Sequence, residues 1–409
     1  MKSLFLFICR LVPAIVFIFS GFVKAIDPVG GAVKFEDYFT AFHMAWLSPI
    51  ALPLSIALAA LEFVIGFYLL FNLYMRRVAA IALIMMGVFT LLTFYISIFN
   101  PVTDCGCFGD AITLTNWQTF GKNVVIIVFT YIVFHYRADY KNPHPANRQL
   151  TVALLAIIYI LSFGIHNYNN LPMMDFRPYK TGTNIPDQMS VPEGAEMPEY
   201  ETLFILEKDG QRETFSVNSY PYDDTTWVFI DSETRVLKEG YVPPLQTFAL
   251  MLPESGDNVA GEIVGQAGAV FFMISPELSE IPKSTILPLA ELAEIARQKN
   301  IPFYCITSSG SAEMKAFDEA HKTMFSYLQS DETTLKTIIR SNPGLMMLYD
   351  GTITAKWHFN NLPSPGIMNK PLAYSIEQQR NRQSNHLVWL NIFGLILIPI
   401  VIFNSRTNK

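Results

Sequence analysis

The chain has 409 residues, of which 51% are hydrophobic and only 16% are charged. Because soluble domains carry about 25% charged residues, this composition argues against a soluble protein and favours a membrane protein. The net charge of −6, with no basic stripe or nucleic-acid motif, argues against DNA or RNA binding.

Six apolar runs are long enough to cross a bilayer, which requires about 20 residues. A spanning segment must satisfy its backbone hydrogen bonds internally, so each run is predicted to be a helix. The first is predicted to be an anchor and not a cleaved signal peptide, because Arg10 interrupts it and no small-residue cleavage site follows. The runs lie at 4–24, 49–72, 78–99, 119–136, 150–167 and 386–404.

Basic residues collect on one side of these predicted spans. By the positive-inside rule that side is cytoplasmic, which places both termini in the cytoplasm and 25–48, 100–118 and 168–385 outside. The predicted location is therefore the inner membrane, in contact with lipid, with a large periplasmic domain. The residues are Lys2, Arg76, Arg77, Arg137, Lys141, Arg148, Arg406 and Lys409.

The segment Asp104-Cys105-Gly106-Cys107-Phe108-Gly109-Asp110 carries two of the four cysteines in the second outer segment. Disulfides persist in that compartment. A disulfide between Cys105 and Cys107 would close a very small, strained ring, and strained exposed disulfides are the oxidising and catalytic ones. Gly106 helps because it tolerates backbone conformations closed to other residues. The sequence predicts Cys105 and Cys107 as catalytic thiols.

Other interpretations of this pair stay open. It could be a structural disulfide, or two reduced thiols that shape the loop. A metal site needs more ligands, and no His or Cys cluster adjoins the loop, so no metal is predicted. Asp104 and Asp110 disfavour a thiolate unless Lys122 or a helix terminus offsets them. Neither cysteine is favoured as the attacking thiol.

Ionisable residues inside the predicted spans form a second group. Glu62 lies near the middle of the second span, where a lone charge is costly and needs a partner. Arg10 is the leading candidate for that partner, whereas Lys24 and Lys122 lie nearer the outer ends. A buried ion pair that fixes helix packing is favoured over the alternative, in which Glu62 relays protons or binds a quinone head group.

The outer segment begins with an aperiodic stretch at 168–200, which is typical of a linker. Strands are predicted at 203–208 and 211–217 around the turn Asp209-Gly210, followed by a strand at 226–230. From 246 onward strands alternate with helices, which indicates a mainly parallel sheet closed by an antiparallel hairpin. The predicted strands are 246–252, 269–274, 302–307, 345–349 and 352–358, and the helices are 284–298, 311–321 and 333–340.

This order resembles the thioredoxin-like fold. Asn342-Pro343, before the last hairpin, matches the cis-proline loop of that family, which implies a cis Pro343 and a client-binding surface around Asn342 and Pro343. A redox-active member would carry Cys-X-X-Cys where this chain has Ser275-Pro276-Glu277-Leu278. With no thiolate nucleophile there, and with Cys305 expected to be buried, the resemblance implies docking and not catalysis.

The first third resembles the DoxX/MauE (methylamine utilisation) group of membrane proteins, as a four-helix transmembrane domain over 1–137. The resemblance implies disulfide formation or maturation of periplasmic redox enzymes, with thiol or quinone redox chemistry. The whole architecture also resembles DoxX family proteins of Bacteroidetes. The residues that carry the resemblance, or support the site, are Arg10, Ser20, Gly21, Phe22, Val23, Lys24, Glu62, Gly66, Cys105, Gly106, Cys107, Phe108, Gly109, Lys122 and Asn123.

The predicted function is that of an inner-membrane thiol–disulfide redox protein acting on thiols of envelope proteins, with quinone as a candidate partner. The alternative is a non-catalytic membrane scaffold with a client-binding domain. The predicted fold is a four-helix bundle plus two further transmembrane helices and an α/β thioredoxin-like domain. Its parts are 1–137, a cytoplasmic loop 138–149, helix 150–167, linker 168–200, a β-rich segment 201–245, the thioredoxin-like domain 246–366 and helix 386–404.

Overall fold

A computed structural model describes residues 2–140 and 145–405, with the side chains of the last helix described in part. Among these residues, five helices are long and apolar enough to cross a membrane, at the positions of the first five predicted spans. The protein is therefore a multi-pass membrane protein. The helices of this part are α1 Lys2–Ile26, α2 Pro28–Ala41, α3 Ala51–Leu70, α4 Met75–Phe99, α5 Asn116–His135 and α6 Ala146–Asn169.

Helix α2 was not predicted, and it fills the first outer segment. Asp27 caps its N-terminus by accepting a hydrogen bond from the Gly30 amide at 2.8 Å, and Pro28 occupies its first turn. Ser55 of α3 donates to the Pro28 carbonyl at 2.8 Å, which ties the start of α2 to the bundle. The helix is too short and too polar to be recognised as a span.

Helices α1 and α3 approach closely through two glycines. A methyl group on Gly21 would lie 2.5 Å from the Ala59 carbonyl oxygen, and one on Gly66 would lie 2.7 Å from the Ala14 carbonyl oxygen. Small residues allow this kind of backbone contact between membrane helices. The contact places the outer end of α1 beside the middle of α3.

The last helix, α12, covers Pro371–Ser405 and so includes the predicted sixth span 386–404. Most side chains of that stretch lie outside the described ones, and the sixth span stays a prediction. Lys141, Arg406 and Lys409, three of the basic residues predicted to face the cytoplasm, also lie outside the described residues.

The outer part contains two sheets. The smaller has the order β2-β1-β3, and Asp209 and Gly210 form the predicted turn with positive φ. The larger has the order β6-β5-β4-β7-β8, with β4, β5 and β6 parallel and β7 and β8 antiparallel to their neighbours. A parallel core closed by an antiparallel hairpin agrees with the prediction.

The elements of the outer part are these. The strands are β1 Glu199–Lys208, β2 Gln211–Ser216, β3 Val228–Lys238, β4 Ala269–Ser275, β5 Phe303–Thr307, β6 Ser326–Gln329, β7 Gly344–Tyr349 and β8 Thr352–His358. The helices are α7 Ile185–Met189, α8 Ala260–Val264, α9 Lys283–Gln298, α10 Ser311–His321 and α11 Glu332–Ile338.

Three details differ from the predictions. Strand β3 covers Val228–Lys238 and so extends well beyond the predicted 226–230. The run 246–252 forms no strand; Met251 only bridges to Asn258 and Gln329, and the edge position beside β5 belongs to β6. The stretch 168–200 is also more than a linker, because Tyr179 and Ile185 are buried in the core of the larger sheet. Apolar content alone did not reveal which runs pair.

Candidate functional site

The two cysteines of the outer loop lie in direct contact. Their Sγ atoms are 3.1 Å apart, and both are free thiols with partly buried side chains. Gly106 and Gly109 adopt φ angles of +64° and +52°, a region that residues with a Cβ avoid. These two turns curl the loop so that the thiols face each other.

Helix α2 holds one side of this loop. Lys34 pairs with Asp104 at 2.8 Å, and Tyr38 donates a hydrogen bond to the Cys105 carbonyl oxygen at 3.0 Å. Asp104 also accepts from the Gly106 amide at 2.8 Å. The unpredicted helix therefore contributes two residues of the site that the sequence did not reveal.

Helices α1 and α3 hold the other side through Lys24. Its ammonium lies 2.7 Å from the Glu62 carboxylate, and it donates to the Cys107 carbonyl oxygen at 2.7 Å and to Ser20 at 2.8 Å. Ser20 donates to the same Cys107 carbonyl at 2.7 Å. The intramembrane acid is thus linked directly to the backbone of the cysteine loop.

The expected pair between Arg10 and Glu62 is wrong. The Arg10 guanidinium lies against the rings of Phe7 and Tyr140, at 5.7 and 5.6 Å from their centroids. Arg10 precedes Lys24 by fourteen residues, which is about 21 Å along a helix at 1.5 Å per residue. Lys24 lies at the depth of Glu62, and Arg10 does not.

Lys122 and Phe108 lie beside each other at the start of α5. The Lys122 ammonium is 4.2 Å from the centroid of the Phe108 ring, within the range of a cation–π contact. The ring of Phe108 packs edge-on against Phe19 of α1, with centroids 5.3 Å apart. Phe108 therefore anchors the loop after Cys107 to two helices.

The environment ranks the two thiols. A hydrogen bond from Cys105 lowers the pKa of Cys107, and the positive charges of Lys122 and Lys24 act in the same direction against the effect of burial. The hydrogen bond to Cys107 and burial raise the pKa of Cys105. The two groups titrate as a pair, and the nearby cations favour Cys107 as the thiolate of that pair.

The two acids that flank the pair do not oppose this thiolate, because each has a cationic partner. Asp104 is paired with Lys34, and Asp110 lies 3.2 Å from the Arg340 guanidinium of the outer part. Lys122 supports the thiolate as the sequence suggested, and Lys24 adds a second cation.

Two cavities meet at the cysteine loop. An inner cavity of about 140 Å³ lies within the bundle, lined mainly by apolar residues such as Phe17, Met86 and Phe89, and it contacts both cysteines. An outer cleft of about 750 Å³ lies between α2, the cysteine loop and α11. Their shared walls are formed by Lys24, Gly31, Lys34 and Gly106.

The predicted client-binding residues lie in the outer part. The Asn342–Pro343 bond is cis, as the resemblance implied. The Asn342 side chain accepts from Ser275 Oγ at 2.7 Å and donates to the Glu277 carbonyl at 3.0 Å, and Pro343 is buried. Asn342 thus ties its loop to the end of β4 and to the residues that follow it. Its role in client binding stays a prediction.

No group of three or more His, Cys, Asp or Glu residues with metal-binding geometry occurs in the part of the chain that the structure describes. Cys305 is completely buried in β5, and Cys9 is completely buried in α1. The thiol chemistry of the described residues is therefore concentrated at Cys105 and Cys107.

Comparison with known families matches two segments of the chain. Residues 200–239, which form the smaller sheet, match a domain of unknown function (DUF8463). No curated protein and no solved structure matches the chain, so the thioredoxin-like fold of the outer part stays a prediction. Residues 2–136, about a third of the chain, match the family of the methylamine utilisation protein MauE, and the multi-pass membrane part is similar to that family.

Proposed function

We propose that this protein is a membrane thiol–disulfide oxidoreductase that uses Cys105 and Cys107 to support disulfide formation in envelope proteins. The observation that carries the proposal is the contact of the two sulfur atoms at 3.1 Å beside Lys24 and Lys122. A thiolate next to fixed cations is the usual environment of a reactive cysteine.

The exchange follows from the ranking of the thiols. In the oxidised pair, a client thiolate attacks Cys105 Sγ, and Cys107 leaves as the better-stabilised thiolate. A second client thiolate then attacks the client sulfur of the mixed disulfide, which forms the client disulfide and releases Cys105. The client loses two electrons and two protons, and the pair gains them as two thiols.

Regeneration of the disulfide requires an acceptor of two electrons and two protons. A lipid-soluble quinone, when bound, would supply an acceptor of this kind. The inner cavity fits an uncharged ring, because its walls are mainly apolar and it contacts Cys107 and Glu62. In this role Glu62 and Lys24 would orient the ring, and the apolar walls would exclude water.

The position of the cysteine loop between two cavities supports a two-sided exchange. The outer cleft is lined by charged residues of both signs, among them Asp37, Lys336 and Arg340, and it suits a water-exposed client segment. The inner cavity lies among membrane helices and suits a lipid-soluble acceptor. Gly106, which borders both cavities, belongs to the loop that carries the pair.

The orientation belongs to the same proposal. Arg76 and Arg77 begin α4, and Arg137 follows the end of α5, so they lie at the opposite end of the bundle from the cysteine loop. By the positive-inside rule this end faces the cytoplasm, and the cysteine loop and outer part face the periplasm.

The test traps the thiols in intact membranes with a mass-shifting alkylating reagent. Cys9 and Cys305 are first replaced by Ala, so that only the pair reports, and the quinone pool is held oxidised or reduced. We expect the fraction of Cys105–Cys107 disulfide to follow the state of the pool. A pair that stays in one state, together with a Cys105→Ser/Cys107→Ser variant that folds and grows normally, would favour the non-catalytic scaffold.

A further inference from the structure

Arg340, in the outer part, contacts both the start of α2 and the end of the cysteine loop. The Arg340 side chain, only 8% exposed, lies 2.9 Å from Asp27 and 3.2 Å from Asp110. Its guanidinium also donates a hydrogen bond to the Lys336 carbonyl oxygen, within the outer part, at 2.6 Å. Its two carboxylate partners belong to different segments of the membrane part.

The bond to Asp27 reaches the cysteines through α2. Asp27 caps that helix, and a rigid cap fixes where its later residues lie. Two of these residues, Lys34 and Tyr38, hold Asp104 and the Cys105 carbonyl. A shift at the start of α2 would therefore move the supports of Cys105.

The bond to Asp110 reaches the cysteines directly along the chain. Asp110 lies three residues after Cys107, in the short helical turn Gly109–Ala111 that ends the loop. Arg340 thus contacts both the cap of α2, the helix that supports Cys105, and a residue three positions after Cys107. A planar guanidinium can bind two carboxylates at fixed angles, which a lysine ammonium does not do.

We propose that Arg340 is a positioning residue for the cysteine pair, through which the outer part sets the contact between Cys105 and Cys107. The inference deepens the proposed function, since it assigns the outer part a role in regulating that site. Its test measures the chemistry of the thiols alone, so it needs no client and no quinone.

The experiment compares Arg340→Met and Arg340→Lys in the full chain, in membranes, with Cys9 and Cys305 replaced by Ala. The alkylation rate of Cys107 is measured across a pH series, because the midpoint of that profile reports the thiolate and is independent of access. We expect both variants to shift the midpoint upward. A shift of one pH unit corresponds to an about tenfold slower reaction at pH values below the midpoint.

Two results would overturn the inference. An unchanged midpoint in Arg340→Met would show that the connection does not reach the thiols. A wild-type midpoint in Arg340→Lys would show that only the charge matters and not the position. Arg235→Met is the matched control, because Arg235 lies on the exposed β3 and pairs only with the nearby Glu233 among the described ion pairs.

A second variant covers the case in which Arg340→Met does not fold. A methyl group on Gly30 would lie 2.9 Å from the Arg340 guanidinium and would clash with Asp27, so Gly30→Ala displaces the contact and leaves the arginine in place. Gly87→Ala, with no atom within 4 Å of its added methyl, is the control. A shifted midpoint in Gly30→Ala alone supports the inference, and equal midpoints in both contradict it.

The two proposals fail in distinguishable ways. The redox function is contradicted, and the positioning role kept, if the disulfide fraction does not follow the quinone pool while the pH midpoint of Cys107 alkylation depends on Arg340. The positioning role is contradicted, and the redox function kept, if the disulfide fraction follows the quinone pool while the pH midpoint of Cys107 alkylation is independent of Arg340.

Discussion

The Lys24 ammonium lies 2.7 Å from the Glu62 carboxylate, and both side chains are almost completely enclosed by the bundle. The same ammonium donates to the Cys107 carbonyl oxygen. An acid inside the membrane and a thiol pair at its surface therefore belong to one site. This arrangement lets the charge that stabilises helix packing also fix the position of the cysteine loop.

The first prediction concerns this pair. Lys24→Met leaves the Glu62 carboxylate buried without its cation, and it should reduce the free energy of unfolding by about 3–5 kcal/mol. Glu62→Gln should cost less, because Lys24 keeps its bonds to Ser20 and the Cys107 carbonyl. Thermal unfolding of the purified protein in detergent compares the two.

Glu62→Gln also separates the two roles considered for the acid. Normal redox turnover with reduced stability would show that Glu62 holds the helices together and does not relay protons. Lost turnover with unchanged stability would support a direct part in the chemistry. The comparison with Lys24→Met at equal protein yield controls for misfolding.

The second prediction concerns the order of reaction. Because the pKa of Cys107 is lowered and that of Cys105 is raised, brief alkylation at neutral pH should label Cys107 first. Cys105→Ala removes the hydrogen bond that lowers the pKa of Cys107, so the midpoint of its pH–rate profile should move up. Peptide mass spectrometry after timed alkylation reads both results, and earlier labelling of Cys105 would refute the ranking.

The third prediction concerns the close contact of α1 and α3. Gly21→Ala and Gly66→Ala both force a methyl group against the backbone of the facing helix. Overpacking of this kind costs about 1–3 kcal/mol, and it should also separate Lys24 from Glu62. Gly87→Ala, whose added methyl meets no atom within 4 Å, should not lower the unfolding temperature. Equal stability of all three variants would contradict this packing role.

The sequence predicted the features that depend on local pattern. Apolar length located the first five membrane helices, and the pairing of Asp209 with Gly210 located the first hairpin. The cysteine motif pointed to the loop in which the sulfur atoms meet. Each of these signals is contained in a short stretch of chain, so no knowledge of the tertiary structure was needed.

The remaining features depend on which distant residues meet. Lys24 and not Arg10 is the partner of Glu62 because it lies at the same depth in the bundle. Spacing along one helix does not give that depth unless the register of the neighbouring helix is also known. The contact of Arg340 with Asp27 and Asp110 joins segments from opposite ends of the chain. The sequence also did not identify α2 as part of the site. Its two site residues, Lys34 and Tyr38, are ordinary polar residues whose role depends on their contacts with the cysteine loop.

The fourth prediction concerns Gly106, which permits the sulfur contact. Its φ of +64° disfavours any residue with a Cβ, and an added methyl would lie 3.0 Å from the Lys34 side chain. Gly106→Ala should therefore cost about 1–2 kcal/mol and turn the two thiols apart. Timed oxidation with a mild thiol oxidant, followed by mass spectrometry, should then show slower formation of the Cys105–Cys107 disulfide. Gly182→Ala also places a residue with a Cβ at a positive φ, of +96°, with no atom within 4 Å of its methyl, and this variant should form the Cys105–Cys107 disulfide at the wild-type rate. If Gly106→Ala also closes at that rate, the loop turn is not what brings the sulfur atoms together.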